Sequence, residues 1–236
     1  GFIGAQSNFN TLPDAVAGMG WYVETMRLPG HGTSPRDFER TTADELVTGV
    51  REAVYALRER FETVVVVGHS MGGALATLVA AEEPMDGLIL CAPLYGLTWD
   101  SILGVKTAWL AQRAAPLIRW LPGRPGAGPV AKPEGRLHVQ CYGWIPTAGI
   151  LTALDVQQRA IDPAVLAAVR GPVLAIHSSG DTVTSMEATA AAVEKMTRAT
   201  VETCWLEKSD HVIFWDYEEK QVEERVLEFL KEVDRS

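Results

Sequence analysis

Two periods of hydrophobic residues alternate along the chain, and each change of period marks an element. Phe9, Leu12, Val16 and Met19 recur at helical spacing up to Gly20. Trp21 to Leu28 is rich in aromatic and β-branched residues and predicts a strand, closed by the turn-forming run Pro29-Gly30-His31-Gly32-Thr33-Ser34-Pro35. Thr42-Ala43-Asp44-Glu45 is a capping-box sequence, and Leu46, Val50, Val54, Leu57 and Phe61 then mark one face of a helix of about five turns. Val64 to Val67 has no polar position, which predicts a strand buried on both faces, and the Ala/Leu-rich stretch after Gly73 predicts a helix. Asp86 to Ala92, Pro172 to His177 and Val201 to Leu206 read as further strands. A helix is expected around residues 186–196, and a last one carries Val222, Val226, Phe229 and Leu230 on its buried stripe. Strands alternating with helices predict an α/β fold built on a right-handed, mostly parallel sheet.

Tyr95 to Asp162 breaks the alternation. It is too long for a simple crossover and holds Trp99, Trp109, Trp120 and Trp144 of the seven tryptophans, with Leu103, Leu110, Leu117 and Ile118. It also carries the Pro/Gly-rich stretch 122–129, which suits a hinge. The chain therefore divides into a core of residues 1–94 and 163–236 and an inserted cap, 95–162. Exposed apolar surface on this scale is expected to pack over the site and form a substrate pocket from Trp99, Trp109, Trp120 and Trp144. Residues 101–140 hold six basic side chains against the single acid Glu134, which favours a transient contact with an anionic lipid interface.

At 236 residues with 47% hydrophobic content the chain can bury a sizeable core, and its net charge of −9 excludes nucleic acid as its main partner. No apolar run is long enough to span a membrane. Cys91, Cys141 and Cys204 are an odd, widely spaced set, which argues against a disulfide framework or a zinc site and favours a reducing, cytoplasmic setting. No repeat is visible.

The chemistry concentrates at Gly68-His69-Ser70-Met71-Gly72, a Gly-x-Ser-x-Gly between a predicted strand and a predicted helix. Its glycines permit a sharp turn with the serine exposed at the tip, where a base can reach the hydroxyl and helix N–H groups can hold an oxyanion. In an open parallel sheet, groups that meet lie past the carboxyl ends of strands. Ser70, Asp181 and His211 obey this rule in the order serine, acid, histidine. His211 would take the proton of Ser70, with Asp181 fixing the imidazole. Asp155 and Asp162 remain alternatives for the acid, and His69, His138 and His177 compete with His211. His31, between two glycines, is read as tying its loop by a hydrogen bond.

Together with Gly1-Phe2, the runs 28–35, 68–73, Gly180-Asp181 and Asp210-His211-Val212 resemble the bacterial carboxylesterase and monoacylglycerol lipase branch of the α/β-hydrolases. The resemblance implies an α/β-hydrolase fold and cofactor-free hydrolysis of short-chain esters or monoacylglycerols. It also implies an oxyanion hole from the backbone N–H groups of Phe2 and Met71. In that fold a strand leads into the oxyanion segment, between the strand ending near Leu28 and the elbow strand. The chain starts abruptly at Gly1, so that strand is expected upstream. Two departures stand out: the cap matches no pattern of the family, and Asp210 replaces the usual glycine before the histidine, with a solvent-facing side chain expected. A catalytically silent ligand-binding protein on the same fold, or a thioesterase or C–C bond hydrolase with the same triad, are the competing readings.

Overall fold

Four strands make the central sheet, and all of their pairings are parallel. The computed structural model describes residues 1–99, 101–102, 105–123 and 128–235. Leu103 and positions 124–127 of the Pro/Gly-rich stretch lie outside the described residues. In chain order the strands are β1 (Val65–His69), β2 (Gly87–Cys91), the short β3 (Ser101–Ile102), β4 (Val105–Lys106), β5 (Trp120–Pro122) and β6 (Trp144–Pro146), then β7 (Arg170–Ser178) and β8 (Arg198–Leu206). The helices are α1 (Leu12–Gly18), α2 (Pro35–Arg40), α3 (Ala43–Arg58), α4 (Met71–Glu82), α5 (Thr107–Ala114), α6 (Thr147–Ala160), α7 (Pro163–Ala168), α8 (Met186–Val193) and α9 (Glu219–Val233). The sheet order is β1-β2-β7-β8.

Helices cover both faces of the sheet, and alternation along β2 sorts its side chains between them. Leu88 and Leu90 enter the core with α3, α4, α6 and α7, whereas Ile89 and Cys91 pack in the layer formed with α9. The helix α4 is apolar all round because it lies between the sheet and α3, α6 and α7. The capping box forms as the sequence predicts: Thr42 N–H donates to Glu45 Oε2 (2.8 Å) and Glu45 N–H to Thr42 Oγ1 (3.2 Å). Leu46, Val50 and Val54 are the buried stripe of α3, and Val222, Val226 and Phe229 that of α9.

Two expectations are corrected. Residues 21–28 join no strand ladder among the described residues, and Val65, Val66 and Val67 are half-buried. The segment 21–28, Val65 and Val67 share one cause, whereas Val66 points to the other face, against the core with α3 and α4. A cavity of about 590 Å³ separates the 21–28 segment from β1 and is lined by both, together with Leu12, Val16 and His31. The two segments do not reach each other, so neither completes the other's hydrogen bonds nor covers its side chains.

Within 95–162, two short antiparallel ladders form, β3 with β4 and β5 with β6. The last helix of that stretch, α6, buries Ala153, Val156 and Ala160 in the same core as α3 and α4. That helix thereby ties the end of the stretch to the core beside the sheet.

Candidate active site

Ser70 sits between β1 and α4 with φ +56° and ψ −124°, a conformation that side chains disfavour and that packing imposes. The glycines explain how. A Cβ on Gly68 would lie 2.5 Å from the Gly72 carbonyl oxygen and 2.7 Å from Gly73 Cα, and one on Gly73 would lie 2.9 Å from Pro93 Cβ. The strand and helix meet this closely only without side chains there.

The three residues singled out by strand position come together. Ser70 Oγ is 2.9 Å from His211 Nε2, and His211 Nδ1 is 2.8 Å from Asp181 Oδ2. All three are buried. Asp181 Oδ1 accepts the backbone N–H groups of Val183 (2.7 Å) and Thr184 (2.8 Å), and the Thr184 hydroxyl donates to Oδ2 (2.8 Å). Burial alone would push the Asp181 carboxyl up. The adjacent His211 outweighs it, with hydrogen bonds from His177, His211 and the Thr184 N–H, and holds the group well below the usual carboxylate range. An ionised carboxylate thus faces Nδ1, which leaves Nε2 free to accept the serine proton.

The other candidates are engaged elsewhere. Asp155 is exposed beside Arg159, and Asp162 caps α7 by accepting the Ala164 N–H (2.8 Å). His138 stacks on Trp215 with ring centroids 4.2 Å apart. His69 Nε2–H donates to the His211 carbonyl (2.9 Å), and burial, then the neighbouring His211, hold its pKa well below the ordinary value. The ring of His31 bonds the Pro29 carbonyl through Nδ1 (2.9 Å), while its buried Nε2 has no partner among the described residues. Asp210 differs from expectation: its carboxylate accepts from Thr182 N–H (2.8 Å) and from the His211 N–H (2.7 Å), tying together the loops after β7 and β8.

Met71 opens α4, so its N–H has no acceptor within the helix. Phe2 meets Phe38 edge-to-face with ring centroids 5.4 Å apart, and a Cβ on Gly1 would lie 3.6 Å from Ser70 Cβ, which places the Gly1–Phe2 peptide beside the nucleophile candidate. Of the four cap tryptophans, Trp99, Trp109 and Trp144 are exposed and Trp120 is half-buried. The large cavity is lined by neither Ser70 nor His211.

Sequence patterns gave no hint of the groups that hold the histidine loop. Fully buried Asp216 accepts four backbone N–H groups: Lys132 (2.9 Å) and Tyr217 (2.8 Å) on Oδ1, and Ala131 (2.7 Å) and Asp210 (2.8 Å) on Oδ2. Glu218 accepts the N–H groups of Glu207, Lys208 and Ser209 and the Ser209 hydroxyl. The only sequence signal available was an acid a few residues past a histidine, which many surface loops share.

A family model described as serine aminopeptidase, S33, matches residues 1–218. The chain is 40% identical over 84 residues to a thermostable monoacylglycerol lipase of Bacillus sp. (strain H-257), covering 36% of this chain and 34% of that protein. It spans about a third of the length of the curated relatives it matches. A solved structure from work on the metagenome-derived lipolytic enzymes LipS and LipT superimposes with a TM-score of 0.85 at 25% identity, covering 98% of this chain and 91% of that one. The Paleococcus ferrophilus monoacylglycerol lipase superimposes with a TM-score of 0.81 at 18% identity, covering 100% and 92%, a likeness of fold.

Proposed function

The chain belongs to the serine aminopeptidase S33 family, and from that premise we propose that it is a serine carboxylic ester hydrolase working through an acyl-enzyme. The observation that carries this reading is the continuous line Ser70 Oγ, His211, Asp181 at 2.9 and 2.8 Å. Ser70 attacks the ester carbonyl as His211 Nε2 takes its proton, and the imidazolium then returns that proton to the departing alcohol. Water repeats the sequence in reverse and releases the acid. Asp181 fixes the Nδ1–H tautomer and stabilises the imidazolium. The N–H groups of Phe2 and Met71 receive the oxyanion.

Short- to medium-chain esters and monoacylglycerols are the proposed substrates, a choice supported by the monoacylglycerol lipase relative. Residues 95–162 act as the cap, with Trp99, Trp109, Trp120 and Trp144 supplying acyl contacts. Two of these tryptophans lie beside basic side chains: Arg113 is 5.3 Å from the ring of exposed Trp109, and Arg119 is 5.7 Å from that of half-buried Trp120. That mixture supports transient contact with a lipid interface. No helix among the described residues is long and apolar enough to cross a membrane. The three cysteines are free, in keeping with a cytoplasmic setting.

A fluorophosphonate probe tests the chemistry and an acyl series the substrate. Labelling at Ser70, absent in Ser70→Ala, is expected. So is a kcat/KM that rises with p-nitrophenyl ester length before falling, since each buried methylene contributes about 0.8 kcal/mol. An unlabelled Ser70 would instead mark a silent ligand-binding protein. A flat profile, or one untouched by Trp→Ala changes in the cap, would remove the acyl pocket.

A further inference from the structure

Asp181 does not serve one histidine but stands between two. His177, at the end of β7 and four residues before Asp181, is fully buried, with Nε2 3.1 Å from Asp181 Oδ2. A carboxylate only accepts, so Nε2 carries a proton; it also lies 3.2 Å from the Thr184 carbonyl. The opposite ring nitrogen, Nδ1, meets the hydroxyl of Thr189 on α8 at 2.8 Å. The ring is therefore held at both ends, and the Oδ2 that accepts from His211 Nδ1 (2.8 Å) and from the Thr184 hydroxyl (2.8 Å) faces His177 Nε2 at 3.1 Å as well. Packing alone asks only for an apolar side chain at this buried strand end. A polar ring oriented from α8 is needed only if its N–H has work to do.

We propose that His177 is a positioning residue for Asp181, its Nε2–H fixing the carboxylate so that Oδ2 faces His211 and drawing off part of the negative charge that would otherwise stabilise the His211 imidazolium. This rests on the reading of Ser70, Asp181 and His211 as the triad. Its consequence is on proton transfer: the His177 contact withholds charge from the carboxylate that faces His211, so its loss is expected to change the pH dependence of turnover. Orienting hydrogen bonds to a metal- or proton-binding group have this double effect, on geometry and on basicity, wherever a second group bonds the first.

The other groups facing this pair are few. From β1 comes His69, whose ring centroid is 4.8 Å from that of His211 and whose pKa burial holds well below the ordinary value. From the loop after β8 comes Asp210, whose carboxylate is turned to Thr182 and to the His211 N–H. From α8 comes Glu187, bonded to the Ser185 hydroxyl and interacting with His177. None of these donates to Oδ2; the Thr184 hydroxyl, which does (2.8 Å), is unchanged in every variant below.

The test is the pH profile of kcat/KM on p-nitrophenyl butyrate for His177→Leu, His177→Gln and Thr189→Val. His177→Leu removes the donor and is expected to move the acid limb up by about half a pH unit and to lower the plateau roughly tenfold. His177→Gln keeps an N–H at the reach of Nε2 and restores both. Thr189→Val leaves the ring but frees its orientation, with a shift in the same direction and smaller; it keeps the experiment decisive if the leucine variant fails to fold. An acid limb that stays put or moves down in the leucine and valine variants, with only Tm lowered, would reduce His177 to core packing and overturn the proposal. Ser70→Ala and Asp181→Asn run in parallel separate the two readings. Retained activity in those variants would refute the triad itself, whereas their inactivity with an unmoved acid limb in the His177 and Thr189 variants refutes only the role of His177.

Discussion

Replacing Asp216 by asparagine changes one atom and is expected to weaken the whole histidine loop. Each carboxylate oxygen accepts two backbone N–H groups, Lys132 and Tyr217 on one, Ala131 and Asp210 on the other, at 2.7 to 2.9 Å. Either orientation of an Asn amide turns an NH₂ toward one of these pairs, so two N–H donors lose their acceptor and meet another donor. A buried donor left unsatisfied costs about 1 to 3 kcal/mol, which for two gives roughly 2 to 6 kcal/mol. For a chain of this size that is a fall in Tm of roughly 5 to 15 °C. Because the Asp210 N–H is one of the four and His211 is the next residue, turnover should fall as well, with kcat reduced more than KM is raised. Urea unfolding gives the stability, and initial rates well below the new Tm give the activity. A loss under about 1 kcal/mol would show that water or local rearrangement replaces the carboxylate, and the clamp described here would be refuted.

Ser70→Ala and His211→Ala should each fold normally and lose turnover to within the residual ~10³- to 10⁴-fold advantage over water that oxyanion binding alone provides. Wild-type-like rates in either would sink the assignment. Gly68→Ala forces a Cβ to 2.5 Å from the Gly72 carbonyl, so the elbow must open; kcat should fall sharply with Ser70 still present, and unchanged kinetics would show the turn to be compliant. Acid should destabilise the fold in two stages. His69 binds a proton more readily when unfolded, because burial lowers its folded pKa, so stability declines as pH falls below its ordinary value of about 6.5. Asp181 and Glu218 titrate lower in the folded chain than in the unfolded one, so their contribution is present above the ordinary carboxylate range and is lost as pH falls through it. Urea midpoints at pH 7, 5 and 3.5 check the sign; a midpoint that rises toward pH 5 contradicts it.

Ser70, Asp181 and His211 were legible because each follows a recognisable strand, and strand ends in a parallel sheet converge by topology. The helices α3 and α9 were legible for an equally local reason, a capping box and an apolar stripe. The groups that hold the site were not. His177 reads as a strand residue, and its bond to Asp181 depends on where the next loop turns back. Asp216 and Glu218 act on N–H groups from other loops, contacts that no periodicity records. Val65 to Val67 misled in a different way: an all-apolar strand reports what should cover it, whereas its actual burial depends on which neighbours are present.

The cavity beside β1 carries a consequence in the language of fragment complementation. It brings together the edge of β1, the segment 21–28, Gly1 beside Ser70 and the His31 Nε2 that has no partner among the described residues. An extended, β-branched peptide laid in it would pair with backbone on both sides, bury Val65 and Val67, and brace the Gly1–Phe2 peptide beside Ser70. Binding to the folded chain alone raises stability as RT ln(1 + [L]/Kd), so an added strand-forming peptide should lift Tm in proportion to the logarithm of its concentration and raise kcat with it. A proline-interrupted version of the same peptide, which cannot complete a ladder, should do neither. Strand edges that bind such a peptide would otherwise meet between molecules, and the concentration at which the chain begins to associate becomes a measure of how strongly the edge of β1 recruits a strand.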